Sequence, residues 1–120
     1  MSHILGSMSF TLKHTSNNLS IHEIQEIIDL YKLNHSNPII DTAVYYNNDH
    51  ILSQLNLNGI KIDTKVNPWY NNDFESGKLG MLSTNNLISQ LSSSLKKLQI
   101  DCVNTLYLHA PDHDTPILET

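Results

Sequence analysis

A chain of 120 residues is long enough for one core that buries about two-thirds of its unfolded surface, and too short for two. Seven Lys and Arg against twelve Asp and Glu give a net charge of -5, and no basic run exceeds Lys96-Lys97, which argues against a nucleic-acid partner. The single Cys102 closes no intramolecular disulfide. Met1 to Phe10 has neither a charged leader nor an apolar stretch of spanning length, so a reducing cytosol and no membrane association are expected.

In chain order, Ile4-Leu5-Gly6-Ser7-Met8-Ser9-Phe10 reads as a brief apolar strand whose Gly6-Ser7 lets a backbone or ligand approach closely. Thr11 to Leu19 is polar and irregular. Ser20-Ile21-His22-Glu23 then has the spacing of a capping box, so a helix is expected to start there. Ile24, Ile27, Ile28 and Tyr31 would turn one apolar stripe toward a sheet, leaving Gln25, Glu26, Asp29 and Lys32 in water. Asn34 to Pro38 ends the helix.

Ile39-Ile40-Asp41 follows Asn37-Pro38 and reads as a buried parallel strand closing on a carboxylate. In parallel α/β folds the carboxyl ends of the strands gather ligands and chemistry. Asp41 is therefore either a site residue or a cap for the next helix. Asn47-Asn48-Asp49 is expected to cap a short second helix with Ile51, Leu52 and Leu55 buried. Asn58-Gly59 turns the chain into a third strand, in which Ile60, Ile62 and Thr64 alternate with Lys61, Asp63 and Lys65.

Asn67-Pro68-Trp69 to Gly80 is a long loop, of a length that in a compact domain is usually functional or disordered, and its Trp favours function. Thr84 to Leu98 is the clearest helix, with Leu87, Leu91, Leu95 and Leu98 on one face, Ser83 or Thr84 as cap, and Lys96-Lys97 at the negative end of its dipole. Cys102 to Leu108 is a fourth strand that runs into His109. Strands alternating with helices imply an α/β fold with a parallel sheet and right-handed crossovers.

Read this way, Asp41, Lys65 and His109 close three successive strands and Tyr46 lies just past the second, so all four share one rim. Each has a plain alternative: Lys65 as a solvated strand end, His109 as a loop or core histidine, Tyr46 as packing. Together they make a proton-transfer set. A phenol gives up its proton at neutral pH only with a cation beside the phenolate, which Lys65 supplies. Asp41 gives that cation its counter-charge, and His109 can hold a carbonyl oxygen.

Asp41-Thr42-Ala43-x-x-Tyr46, Thr64-Lys65-Val66-Asn67-Pro68-Trp69 and Leu106-Tyr107-Leu108-His109-Ala110-Pro111-Asp112-His113 resemble the aldo-keto reductases, and most of all the aflatoxin-aldehyde reductase branch. Leu5-Gly6-Ser7-Met8 is similar to the family's first strand, and Gln90-Leu91 with Ser94 to Leu98 to its third helix. The resemblance implies a (β/α)8 TIM barrel that uses NADPH to reduce aldehydes or ketones. Carried over, Tyr46 would be the general acid, Lys65 would ease loss of its proton, Asp41 would hold Lys65 and His109 would orient the carbonyl. Gly6, Ser7, Met8 and Asp41 would lie near the nicotinamide, with Trp69, Tyr46 and His109 around a small-molecule carbonyl substrate. Two departures are Asn104, where the family usually has Asp, and Ser7 for Thr.

Such a barrel takes about 250 residues, so the resemblance covers only its N-terminal half, a truncated set of (β/α) units in one partial NADP-dependent domain over residues 1–120. The isolated chain is expected to be inactive, with the inner faces of Ile39, Ile62 and Tyr107 lacking opposing side chains and two sheet edges open. It would then self-associate as a homo-oligomer or pair with a separate C-terminal half, and a rival reading makes it a non-catalytic half-barrel that acts only through such contacts. A further rival takes His109, Asp112, His113 and Asp114 as a Zn or Mn site. The resemblance already accounts for His109, and Pro111 bends the chain between those ligands, so no metal is expected.

Overall fold

The computed structural model describes residues 3–10 and 19–120, so the irregular segment expected before Leu19 lies outside the described residues. The chain runs β1 (Leu5–Gly6), α1 (Ile21–Leu33), β2 (Ile39–Asp41), a 3-10 turn (Val44–Tyr46), α2 (Asp49–Leu52), β3 (Lys61–Val66), a second 3-10 turn (Tyr70–Asn72), α3 (Thr84–Leu98) and β4 (Thr105–Leu108). The strands lie in the order β1-β2-β3-β4 and every pairing is parallel. This is the alternation expected of (β/α) units. Among the described residues no helix is long and apolar enough to cross a membrane.

The expected helices form, with local corrections. At the start of α1 the Glu23 N–H donates to Ser20 Oγ (3.2 Å) and the Ser20 N–H donates to Glu23 Oε2 (2.7 Å), the reciprocal pair of a capping box. Ile24 and Ile28 are fully buried, but Ile27 is 37% exposed on the flank of the stripe. Gln25 and Lys32 are not left to water. Gln25 Oε1 accepts from the Asn56 N–H at 2.7 Å, and the Lys32 ammonium donates to the Asn58 carbonyl. In α3, Leu98 is buried while Leu87, Leu91 and Leu95 are half-buried, and Gln99 closes the helix in the left-handed region at φ 58°.

The strands are shorter than the apolar runs that mark them. β1 keeps two residues because a turn with Phe10 N–H bonded to Ser7 O (2.9 Å) swings Phe10 into the helix-side core. β4 begins at Thr105 and leaves Cys102 exposed. Helix α2 is a single turn. Its expected Asn cap does not form, because the Asn48 side chain is used elsewhere: Oδ1 accepts from Thr42 Oγ1 (3.0 Å) and Nδ2 donates to Ser7 O (2.7 Å). Ile51, Leu52 and Leu55 are buried as expected. A buried amide bonds where its polar atoms can be satisfied.

The register sorts the two faces of the sheet. Ile40 pairs with Ile62, and both join Phe10, Ile24, Ile28, Ile51, Leu52, Leu55 and Leu98 in the core under the helices. On the opposite face Gly6, Asp41, Asp63, Lys65 and Tyr107 line one cavity. The expectation that Ile62 faces inward with Ile39 and Tyr107 is therefore wrong. Residues two apart share a face, so the inward residue of that stretch is Asp63, which is 2% exposed.

Candidate active site

Because the strands are parallel, their carboxyl ends fall on one edge, and the structure brings the four rim residues together there. Asp41 ends β2, Lys65 is the penultimate residue of β3, and His109 follows β4 with its N–H bonded to Val66 O (2.8 Å). Tyr46 ends the 3-10 turn after β2. Lys65 Nζ donates to Asp41 Oδ2 at 2.5 Å and to the Thr42 carbonyl at 3.0 Å. The same ammonium lies 5.3 Å from the centre of the Tyr46 ring. Across the site the rings of Tyr46 and His109 stand perpendicular with centres 5.9 Å apart.

The half-buried ion pair is charge-assisted and short, so a cation is held beside a phenol with its counter-ion already fixed. His109 is tuned the other way. Burial lowers its tendency to protonate, the Lys65 ammonium lowers it further, and Asp41 offsets only part of this. At neutral pH the imidazole is uncharged with one N–H to donate. Its Nδ1 is buried without a partner. The arrangement offers a phenol proton and an imidazole donor to one oxygen.

The other predicted positions are dispersed around this centre. Gly6 has open space where a Cβ would project, and Met8 is 66% exposed. Ser7 is fully buried and its carbonyl accepts from Asn48. Trp69 is largely buried, its ring packed 5.2 Å from His109, 5.0 Å from Tyr45 and 5.1 Å from Phe74 between centres. Tyr45 and Phe74 complete an aromatic wall that the motifs do not mark.

What fixes this wall is a set of amide and carboxylate braces. Asn67 Oδ1 accepts from the Trp69 N–H (3.1 Å), and Asn67 Nδ2 donates to Asn72 Oδ1 (2.6 Å). Gln90 of α3 binds both backbone groups of Asn67, at 3.0 Å each, and the Met81 carbonyl at 2.9 Å. The sequence marks Gln90 as a polar residue beside the apolar stripe of its helix and as part of the Gln90-Leu91 resemblance, and neither signal says what it binds.

Asp112 is a brace as well. It accepts from the N–H groups of Gly80, Leu82 and Asp114 and from Thr115 Oγ1 (2.7 Å). Partial burial opposes its ionisation, but the Thr115 hydroxyl and the three amides outweigh that and hold its carboxyl below the ordinary range. A depressed carboxyl adds stability above its unfolded titration range and loses it as pH falls through the folded one. Asp112→Asn should therefore cost roughly 1–2 kcal/mol at neutral pH and progressively less toward acid. Urea titrations of both proteins across pH check this, and an equal cost at all pH values would contradict it. Among the described residues no three His, Cys, Asp or Glu side chains gather as metal ligands, and Asp112 is committed to these amides.

The Aldo/keto reductase family profile matches residues 4–120. Rat aflatoxin B1 aldehyde reductase member 2 is 43% identical over 90 residues, covering 68% of this chain and 22% of the rat protein. Human aflatoxin B1 aldehyde reductase member 4 is 41% identical over 90 residues, covering 68% of this chain and 25% of its own length. The chain thus spans about a quarter of these relatives. Among solved structures, a thermostable aldo-keto reductase in complex with epalrestat superposes with a TM-score of 0.70 at 22% identity, over 97% of this chain and 40% of that one. A Pseudomonas aeruginosa protein described as an aldo-keto reductase gives 0.70 at 24% identity, over 96% and 44%. Both likenesses concern the fold.

Proposed function

The chain belongs to the aldo/keto reductase family, and on that footing we propose that, within a completed barrel, it reduces aldehydes or ketones to alcohols with NADPH. The observation that carries this reading is the Lys65 ammonium held 2.5 Å from Asp41 and 5.3 Å from the Tyr46 ring. NADPH, when bound, supplies the hydride to the carbonyl carbon. Tyr46 gives its hydroxyl proton to the carbonyl oxygen, Lys65 stabilises the phenolate left behind, and Asp41 keeps Lys65 charged and aimed. Neutral His109 donates to the same oxygen and orients it, while Trp69 bounds the substrate. Gly6 and Met8 would hold the nicotinamide end of that cofactor, with Ser7 shaping their turn, and the open space at Gly6 suits a close approach. We place the reaction in the cytosol and treat residues 1–120 as part of one NADP-dependent domain.

The test is Lys65→Met in a form that turns over a carbonyl substrate. Removing the cation should move the alkaline limb of the pH-rate profile upward, and Asp41→Asn should act in the same direction but more weakly. Lost activity with an unmoved limb would assign Lys65 to substrate contact or folding instead.

A second reading, a non-catalytic half-barrel that works through a partner chain or a second copy, is favoured by the apolar residues left open on β4, where Leu106 is 40% and Leu108 52% exposed. Mass in solution together with carbonyl turnover separates the two.

A further inference from the structure

The turn that leads into β3 holds a reactive dipeptide that the proposed chemistry does not use. Asn58 is the one asparagine in the sequence that precedes a glycine. Both residues are exposed, in a turn closed by the Ile60 N–H on the Leu57 carbonyl at 3.0 Å, with Gly59 at φ 79°. Among the described residues Asn58 is bonded through its main chain only: its N–H donates to Asn56 Oδ1 at 3.2 Å and its carbonyl accepts from the Lys32 ammonium. The Gly59 N–H has no acceptor among them.

Several other asparagines lack this freedom. Asn34 Nδ2 bonds the Leu30 carbonyl at 2.7 Å, Asn104 Nδ2 bonds Asp63 Oδ1 at 2.7 Å, and Asn48 is held by Thr42 and Ser7. Asn37 and Asn67 precede prolines, which have no N–H.

An asparagine followed by an unhindered peptide nitrogen can close on itself. The Gly59 nitrogen gives its proton to solvent and attacks Cγ of Asn58; a C–N bond forms, the Cγ–Nδ2 bond breaks, and ammonia leaves. Water then opens the succinimide ring at either carbonyl carbon, which gives aspartate or isoaspartate at position 58. No oxidant or reductant takes part. Glycine matters because no Cβ crowds the attacking nitrogen.

A peptide nitrogen holds its proton tightly, and Lys32 bears on that step directly. Its ammonium donates to the carbonyl oxygen of the same Asn58–Gly59 peptide unit, and a Cβ at Gly59 would meet Lys32 Nζ at 3.8 Å. Resonance spreads the charge of an ionised peptide onto that oxygen, so a cation bonded there favours the anion.

We propose that Asn58–Gly59 is a self-modification site, at which the Lys32 ammonium promotes ring closure and loss of the Asn58 amide. The product adds a negative charge at the entry to β3, and its isoaspartate form lengthens the main chain there by one carbon.

The test follows the 120-residue chain by peptide mass spectrometry during incubation in a mildly alkaline, amine-free buffer, with fragmentation placing the converted residue. Conversion should appear at position 58 ahead of every other asparagine. Asn58→Gln, whose longer side chain would have to close a larger ring, should lose it. Lys32→Met should slow it about tenfold, the equivalent of one pH unit in ionising an N–H beside a cation. Lys32→Arg, which keeps a charged donor, should retain most of the rate. Lys32→Gln repeats the measurement if circular dichroism shows the methionine variant unfolded. No conversion at position 58, or an unchanged rate in a folded variant without the Lys32 charge, would overturn the proposal.

Discussion

Replacing Tyr46 by phenylalanine is expected to lower carbonyl reduction by on the order of 10²-fold or more, the scale of a lost general acid, with NADPH affinity nearly unchanged. The substitution deletes one hydroxyl. The ring keeps its perpendicular contact with His109 at 5.9 Å and its place 5.3 Å from Lys65 Nζ, so neither the wall of the site nor the Lys65–Asp41 pair has reason to move. What is lost is the proton delivered as negative charge develops on the carbonyl oxygen. Neutral His109 still donates a hydrogen bond to that oxygen, which should leave a residual rate above background. The comparison is made on the form that turns over substrate, whether this chain by itself or joined to further strand-helix units. Wild-type turnover in the phenylalanine variant would remove Tyr46 from the mechanism.

The second large effect concerns the 120-residue chain on its own, which is expected to associate and to bind NADPH weakly or below detection. Among the described residues β1 and β4 are the edges of a four-stranded sheet, and an unpaired edge is a template for another strand. Tyr107 on the inner face is 44% exposed, Leu106 and Leu108 are 40% and 52% exposed, and Ile117 and Leu118 are almost wholly exposed. Exposed apolar surface of this extent favours association. The residues proposed to meet the cofactor lie around Gly6, Met8 and Asp41, at its nicotinamide end only. Contacts to the rest of a dinucleotide supply much of its affinity, and a site lacking them binds poorly even when preformed. Size-exclusion chromatography with light scattering and a fluorescence titration with NADPH decide the matter. A monomer that binds NADPH at micromolar concentration and reduces an aromatic aldehyde would show that four strands suffice.

The sequence by itself determined the order of elements and the four rim residues. Those are matters of local chemistry: Ser20 and Glu23 cap each other across three residues, Asn37-Pro38 breaks one element before Ile39 starts the next, and a polar residue at the end of an apolar strand marks the carboxyl edge of a parallel sheet. The motifs around Asp41, Lys65 and His109 needed no contacts to be recognised. Only the tertiary structure decided which face of β3 looks inward, because both faces of a barrel strand are covered and alternation alone does not say by what. Ile62 joined the helices and Asp63 turned in for that reason. It also decided the work of Asn48, Gln90, Asn104 and Asp112. An amide or carboxylate has donors or acceptors that many partners satisfy, and which loop arrives within 3 Å is fixed only when the whole chain has packed.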